Sequence, residues 1–285
     1  MGTRLKYSHN ENFFSSLTNE SCYVAGVLAG DGSISDKQHT LNLSLMASDI
    51  DLIQKVKFLL QFDGLLFVRE GINNAMAGIR VCHAQKLSSD LMNNFNITSN
   101  KTFTLMPPNI FQESQIQHFI RGILDSDGFI MRSKYGYKTN GYTIGFCGTK
   151  SLMEWISNNI RRYVSRAGIG TVKPSKNIFY IQYSGYQVRH ILDWIYKDSI
   201  AETRLNRKYN LYQELLQFYR NKPQFRGVHW DRRKKKWQAT MYFNGKNNWL
   251  GYFDDPIEAA KVYDNKAIEI LGNKAKLNLA IGVSV

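Results

Sequence analysis

The chain has 285 residues, 43% hydrophobic and 13% aromatic, which is enough to bury a core and excludes global disorder. Lys and Arg number 37 against 23 Asp and Glu, a net charge of +14, so a polyanionic partner is expected. The apolar run at 23–29 is far shorter than the ~20 residues of a membrane span. Arg4, Lys6, His9 and Glu11 leave the N-terminus without the apolar core of a signal peptide. Cys22, Cys82 and Cys147 are odd in number and far apart, which suits reduced thiols in an intracellular protein. The six histidines show no ligand spacing, so any metal should be held by oxygen.

In chain order, residues 23–35 read YVAGVLAGDGSIS, an apolar helix closed by an acid and a glycine. Ser48 is the expected N-cap of the amphipathic pattern SDIDLIQKVKFLL. Alternation at 78–82 predicts a strand, and 85–95 predicts another amphipathic helix. The series then repeats. Residues 119–131 read FIRGILDSDGFIM, Thr149 heads TKSLMEWISNNIRRYV, 179–183 alternates, and 186–196 is again amphipathic. Gly26, Asp31 and Gly32 recur 96 residues later as Gly122, Asp127 and Gly128. Residues 1–112 and 113–220 therefore read as two copies of one α+β unit: helix, two strands, helix, two strands, helix.

Gly26 and Gly30, like Gly122 and Ser126, put small residues four apart on one helix face, where another helix can approach closely. Packing the two motif helices on each other would bring Asp31 and Asp127 together. That pairing opposes both helix dipoles and sets like charges side by side. A divalent cation held by carboxylates, water and a substrate phosphate would resolve both conflicts, and it suits phosphodiester hydrolysis. A single Asp-Gly could instead be a plain helix-terminating turn.

VAGVLAGDG at 24–32 and IRGILDSDG at 120–128 resemble the LAGLIDADG signature, and two copies in one chain resemble the pseudo-dimeric LAGLIDADG homing endonucleases. KTFTLMPP at 101–108 and RLNRKYNLY at 204–212 also fit. The resemblance implies two αββαββα units whose sheets form a saddle along the DNA major groove. It implies Mg²⁺ or another divalent cation at Asp31 and Asp127, both strands cut across the minor groove to leave short 3′ overhangs, and monomeric action. It further nominates Lys101 and Lys208 as catalytic basic residues. The sixth motif position is Ala29 in one copy and Asp125 in the other, which could make the two sites unequal. Without the terminal residues that protein splicing needs, a freestanding protein is expected rather than an intein.

Readout residues should be polar and lie on the groove-facing side of the strands. The first-half candidates are Ser33, Ser35, Lys37, Gln38, Asn42, Arg69 and Arg80. Those in the second half are Arg132, Lys134, Lys138, Lys173, Lys176 and Gln182.

From 221 the pattern changes. FRGVHW, KKWQATMYF and NNWLGYF read as three strands, with Asn244-Gly245 as the second turn. A helix follows in which Asp255 caps, Pro256 opens and Glu258 completes a capping box; Ile257, Ala260, Tyr263, Ala267 and Ile270 form the expected buried face, and Gly272 ends it. Residues 221–285 carry 12 basic and 6 acidic side chains. RGV at 226–228, Trp237, WLGYF, EAAKVYD and GNKAKLN resemble the DNA-binding domain of Apetala-type ethylene-response factors. That resemblance implies a sheet in the major groove, with Arg226, Trp237 and Trp249 touching DNA. His229 and Tyr242 stand where the plant pattern has arginines, so its sequence preference is not carried over. Arg232, Arg233, Lys234, Lys235 and Lys236 form a basic turn suited to gripping phosphates.

The expected function is a site-specific, metal-dependent double-strand DNA endonuclease of a mobile element. The alternatives are a maturase binding group I intron RNA and a transcription regulator on the same scaffold.

Overall fold

The computed structural model describes residues 7–71, 75–99, 101–135, 138–220, 225–231 and 233–279. The chain forms two compact units, Met1–Leu215 and Leu216–Val285.

The larger unit is mixed α+β and contains one motif twice. Its first copy runs α1 (Asn19–Asp31), β1 (Gly32–Ser35), β2 (Thr40–Met46), α2 (Ile50–Leu59), β3 (Leu66–Arg69), β4 (Met76–Cys82) and α3 (Gln85–Phe95). After the short α4 (Lys101–Thr104) comes the second: α5 (Glu113–Asp125), β5 (Phe129–Tyr135), β6 (Lys138–Gly148), α6 (Lys150–Tyr163), β7 (Lys173–Ser175), β8 (Ile178–Ser184) and α7 (Gln187–Tyr196). α8 (Asn206–Arg220) closes the series and carries the division between the units. The sheets share one antiparallel topology, β1-β2-β4-β3 and β5-β6-β8-β7.

Alternation decides which face is buried. Leu41, Leu43 and Leu45 of β2 face inward with Ala77, Ile79 and Val81 of β4, beneath α2 and α3. In the second copy Ile144, Phe146, Ile181 and Tyr183 do the same. α1 is buried from Ser21 to Ala29, packed against its partner α5 and against β1 and β2. Thr18 and Ser21 start it with a reciprocal capping box. Thr149 caps α6 as expected, accepting from the Leu152 N–H. Ser48 does not cap α2. A 3₁₀ turn, Ala47–Asp49, leads into that helix, and Asp49 is instead held by a bidentate pair with Arg207.

The smaller unit comprises β9 (Val228–Asp231), β10 (Lys236–Phe243), β11 (Lys246–Phe253) and α9 (Pro256–Leu271), in sheet order β11-β10-β9. Asn244 and Gly245 both have positive φ, as a two-residue hairpin turn of the favoured hand requires. A side chain at Gly227 would lie 2.3 Å from the Thr240 carbonyl oxygen and from the Tyr263 ring, so RGV needs its glycine to close on the helix. Asp255 accepts from the Ile257 N–H, one residue short of Glu258, so the bond differs from that of the expected capping box. Ile257 is 45% exposed, not buried; the inner face is Ala259, Ala260, Tyr263, Asp264 and Ala267.

Candidate active site and nucleic-acid interface

α1 and α5 approach until their backbones touch. A Cβ at Gly26 would fall 2.1 Å from the Phe119 carbonyl oxygen, and one at Gly122 would fall 2.2 Å from that of Tyr23. One at Gly30 would meet Ser126 Oγ at 2.1 Å and Asp127 Cγ at 3.3 Å. The small-residue faces thus abut, and the close approach delivers the two C-terminal ends to the same place. Asp31 is the last residue of α1; Asp127 lies two residues past the end of α5, after a looser turn in which the Gly128 N–H reaches Ile123 O at 3.0 Å.

The pair is electrostatically costly. Burial, and then the neighbouring Asp127, push the Asp31 carboxyl up to about 6. Asp127 is also raised, by desolvation, although Lys101 and Lys208 pull it back.

Those two lysines answer the dipole conflict. Lys101 Nζ donates to Ala29 O at 2.8 Å and to Gly30 O. Lys208 Nζ donates to Leu124 O, Asp125 O, Ser126 O and Gly128 O at 2.6, 2.9, 3.4 and 2.6 Å. Each ammonium ends the motif helix of its own half where orphan carbonyls and negative dipole collect. Lys101 is 9% exposed and Lys208 3%, so neither is an ordinary surface lysine. Desolvation lowers both, Lys208 to about 8.

A cavity of about 200 Å³ opens here, lined in part by Gly30, Lys101, Asp127 and Cys147. Cys147, which the sequence did not mark, donates from Sγ to Asp127 O at 3.4 Å. Among the described residues, no group of three or more His, Cys, Asp and Glu side chains could hold a metal ion. The carboxylates available at this place are Asp31 and Asp127. Asp125 is spent elsewhere: its oxygens accept from Tyr23 OH at 2.8 Å, the Leu205 N–H at 2.8 Å and Tyr196 OH at 3.4 Å.

On the open face of the first sheet, register lines up Ser33, Asn42 and Arg80 across β1, β2 and β4. Arg80 Nε donates to Asn42 Oδ1 at 2.8 Å. Ser35 and Arg69 share that face by alternation, Arg69 lying over the Phe67 ring; Lys37 and Gln38 are exposed in the β1–β2 turn. On the second sheet Gln182 and Lys173 lie on the open face, and Lys176 is in the exposed β7–β8 turn at positive φ. Arg132 is displaced from this set. It shares the inner face with Ile130 and Tyr142 and is ion-paired with Glu214 of α8. Lys134 and Lys138 lie on β5 and β6, with side chains outside the described residues.

In the smaller unit Trp237 faces the helix, packed with Val228, Ala239, Ala259 and Ala260 and edge-on to Trp230 at 5.2 Å. Core packing accounts for it. Trp249 differs: a register shift between Ala239 and Thr240 sets it opposite Thr240, where it is 60% exposed. It shares the open face with His229, Gln238, Tyr242 and Asn247, which sequence patterns alone did not gather. Arg226 is exposed just before β9, and Arg233 and Lys235 are exposed in a turn built on Asp231, whose Oδ1 accepts from the Arg233 and Lys234 N–H groups. Arg232 lies outside the described residues.

No family model matches the chain. Over 59 residues it is 39% identical to the AP2-like ethylene-responsive transcription factor TOE2 of Arabidopsis thaliana, covering 21% of this chain and 12% of that protein. It is 40% identical over 55 residues to APETALA2-like protein 2 of Oryza sativa subsp. indica, covering 19% and 13%. The chain thus spans about an eighth of the length of these curated relatives. Among solved structures, full-length DUF199/WhiA from Thermatoga maritima aligns with TM-score 0.49 and 13% identity over 79% of this chain and 69% of that one. The I-LtrWI LAGLIDADG homing endonuclease bound to target DNA aligns with TM-score 0.47 and 9% identity over 73% and 92%. I-SmaMI bound to uncleaved DNA in the presence of calcium ions gives 0.45 and 11% over 72% and 93%.

Proposed function

We propose that this protein is a metal-dependent endonuclease that hydrolyses phosphodiester bonds in both strands of a long, specific DNA site. One observation carries the reading: two glycine-packed helices of duplicated sequence bring Asp31 and Asp127 to one place, where burial and then repulsion push the Asp31 carboxyl up to about 6. The donor chemistry fits a divalent cation, because two carboxylates whose charge the neighbouring lysines only partly offset leave room for water and substrate phosphate to complete the shell. Such a cation, Mg²⁺ foremost, would be held by Asp31 and Asp127 and would supply charge neutralisation and an activated water. Lys101 and Lys208 keep positive charge beside the carboxylates, where charge builds on a phosphate under attack.

The open faces of the two larger sheets offer base-reading groups in Ser33, Asn42, Arg80 and Gln182, while Lys37, Lys173 and Lys176 suit phosphates. The smaller unit adds a grip through Trp249 and the Arg233–Lys235 turn, raising affinity by effective concentration and lengthening the site. A long site lets a mobile element spare the rest of a genome.

The test is Mg²⁺-dependent cutting of a large randomised or genomic DNA pool, with the ends sequenced and Asp127→Asn run in parallel. Recurrent ends within one long sequence, absent from the variant, are expected. Specific binding of structured RNA without any DNA ends would overturn the reading.

A further inference from the structure

Among the polar groups buried outside the Asp31–Asp127 pair, Asp125 both offsets the buried Lys208 and Arg121 cations and ties down the chain ahead of Lys208. It sits one turn beyond Arg121 on α5, and both are buried. Its Oδ2 accepts the Leu205 N–H at 2.8 Å, and Leu205 directly precedes α8. Its main-chain oxygen accepts Lys208 Nζ at 2.9 Å. Arg121 grips the same segment at Thr203 O at 2.7 Å, and also donates to Ile195 O of α7 at 2.8 Å. α5 therefore holds the chain just ahead of Lys208 at two main-chain positions, Thr203 and Leu205, and α1 contributes Tyr23 OH to the same carboxylate. A buried carboxylate so fully engaged is committed to orientation, because releasing any partner would strand a polar group in the interior.

The first half has no counterpart. Ala29 stands at the matching position and offers no acceptor beyond its carbonyl, so Lys101 reaches its helix end through its own ammonium. We propose that Asp125 is a positioning residue that seats Lys208 beside Asp127, so that the second half depends on a carboxylate the first half lacks. This rests on the nuclease reading. With two scissile phosphates, one facing each half, loss of Asp125 slows one strand more than the other.

The experiment uses the full chain, Mg²⁺ and an end-labelled duplex carrying the selected target, with single-turnover rates measured for each strand. Asp125→Ala is expected to slow one strand by roughly 10²-fold through misplacement of Lys208, leaving the other near its wild-type rate, so nicked DNA accumulates. Asp125→Asn keeps the size and one acceptor oxygen and should shift the strand ratio in the same sense but less; it carries the test if the alanine variant does not fold. Equal slowing of both strands in the Asp125 variants would mean a structural role only and overturn the proposal. If the wild-type protein cuts neither strand, the nuclease reading itself fails and this inference falls with it.

Discussion

The two halves of the larger unit solve the same problem with different amounts of protein. Both end a motif helix on an acid and both neutralise that end with a buried lysine from beyond the repeat's last helix. The first lysine makes two carbonyl contacts, whereas the second makes four and is backed by Asp125 and Arg121. Duplication preserved what the paired site needs, namely glycines that let helices touch and acids that meet. It left the supporting groups free to diverge, because a lysine can be seated by its own ammonium or by the chain around it.

The symmetric part should be the most fragile. Gly26→Val and Gly122→Val each force a side chain into a backbone carbonyl and should destabilise the larger unit by about 3 kcal/mol or more, read as a lowered urea midpoint. A mild effect at either position would mean that the helices can separate. The lysines should break the symmetry: Lys208→Met should cost about 3 kcal/mol and Lys101→Met about half that, in step with their carbonyl partners. Equal losses would remove the basis for treating the halves differently.

Two tryptophans extend the contrast to the smaller unit. Trp237→Ala should cost about 2 kcal/mol of stability by opening its packing, whereas Trp249→Ala should weaken DNA binding with the melting curve unchanged.

The smallest effect is on pH dependence. Asp31 binds its proton more tightly folded than unfolded, so its contribution favours folding at low pH and is lost as pH rises from about 4 through about 6. Without divalent cations, Asp31→Asn should therefore raise stability at pH 7 by on the order of 1–2 kcal/mol and leave it unchanged near pH 4. Below about pH 6 the proton competes for the same carboxylate, so apparent cation affinity should fall there.

Much of the site was legible in the chain because it was written twice. A repeated acid-glycine after a repeated small-residue face predicts contact between two helices, and the glycine distances bear that out. The lysines' setting was not legible: no basic residue stands in the last turn of either motif helix, and the ammonium groups arrive from Lys101 and Lys208, over 70 residues from the carbonyls of Ala29 and 80 or more from those of Leu124 to Gly128. The side-by-side polar row Ser33–Asn42–Arg80 needed the register that hairpin geometry sets, and Arg132 falls on the other face because it shares the parity of Ile130, where it pairs with Glu214. Trp237 and Trp249 look alike in sequence; a one-residue bulge decides which faces the helix.

The most direct test of the central claim compares single-turnover cleavage by the wild type, Asp31→Asn, Asp127→Asn and the double variant on the selected target. If the acids form one composite site, each single variant should lose about 10²–10³-fold or more, and the double variant scarcely more than either, because groups acting as a unit are not additive. A single variant that cuts both strands at the wild-type rate, or losses that simply multiply, would contradict it.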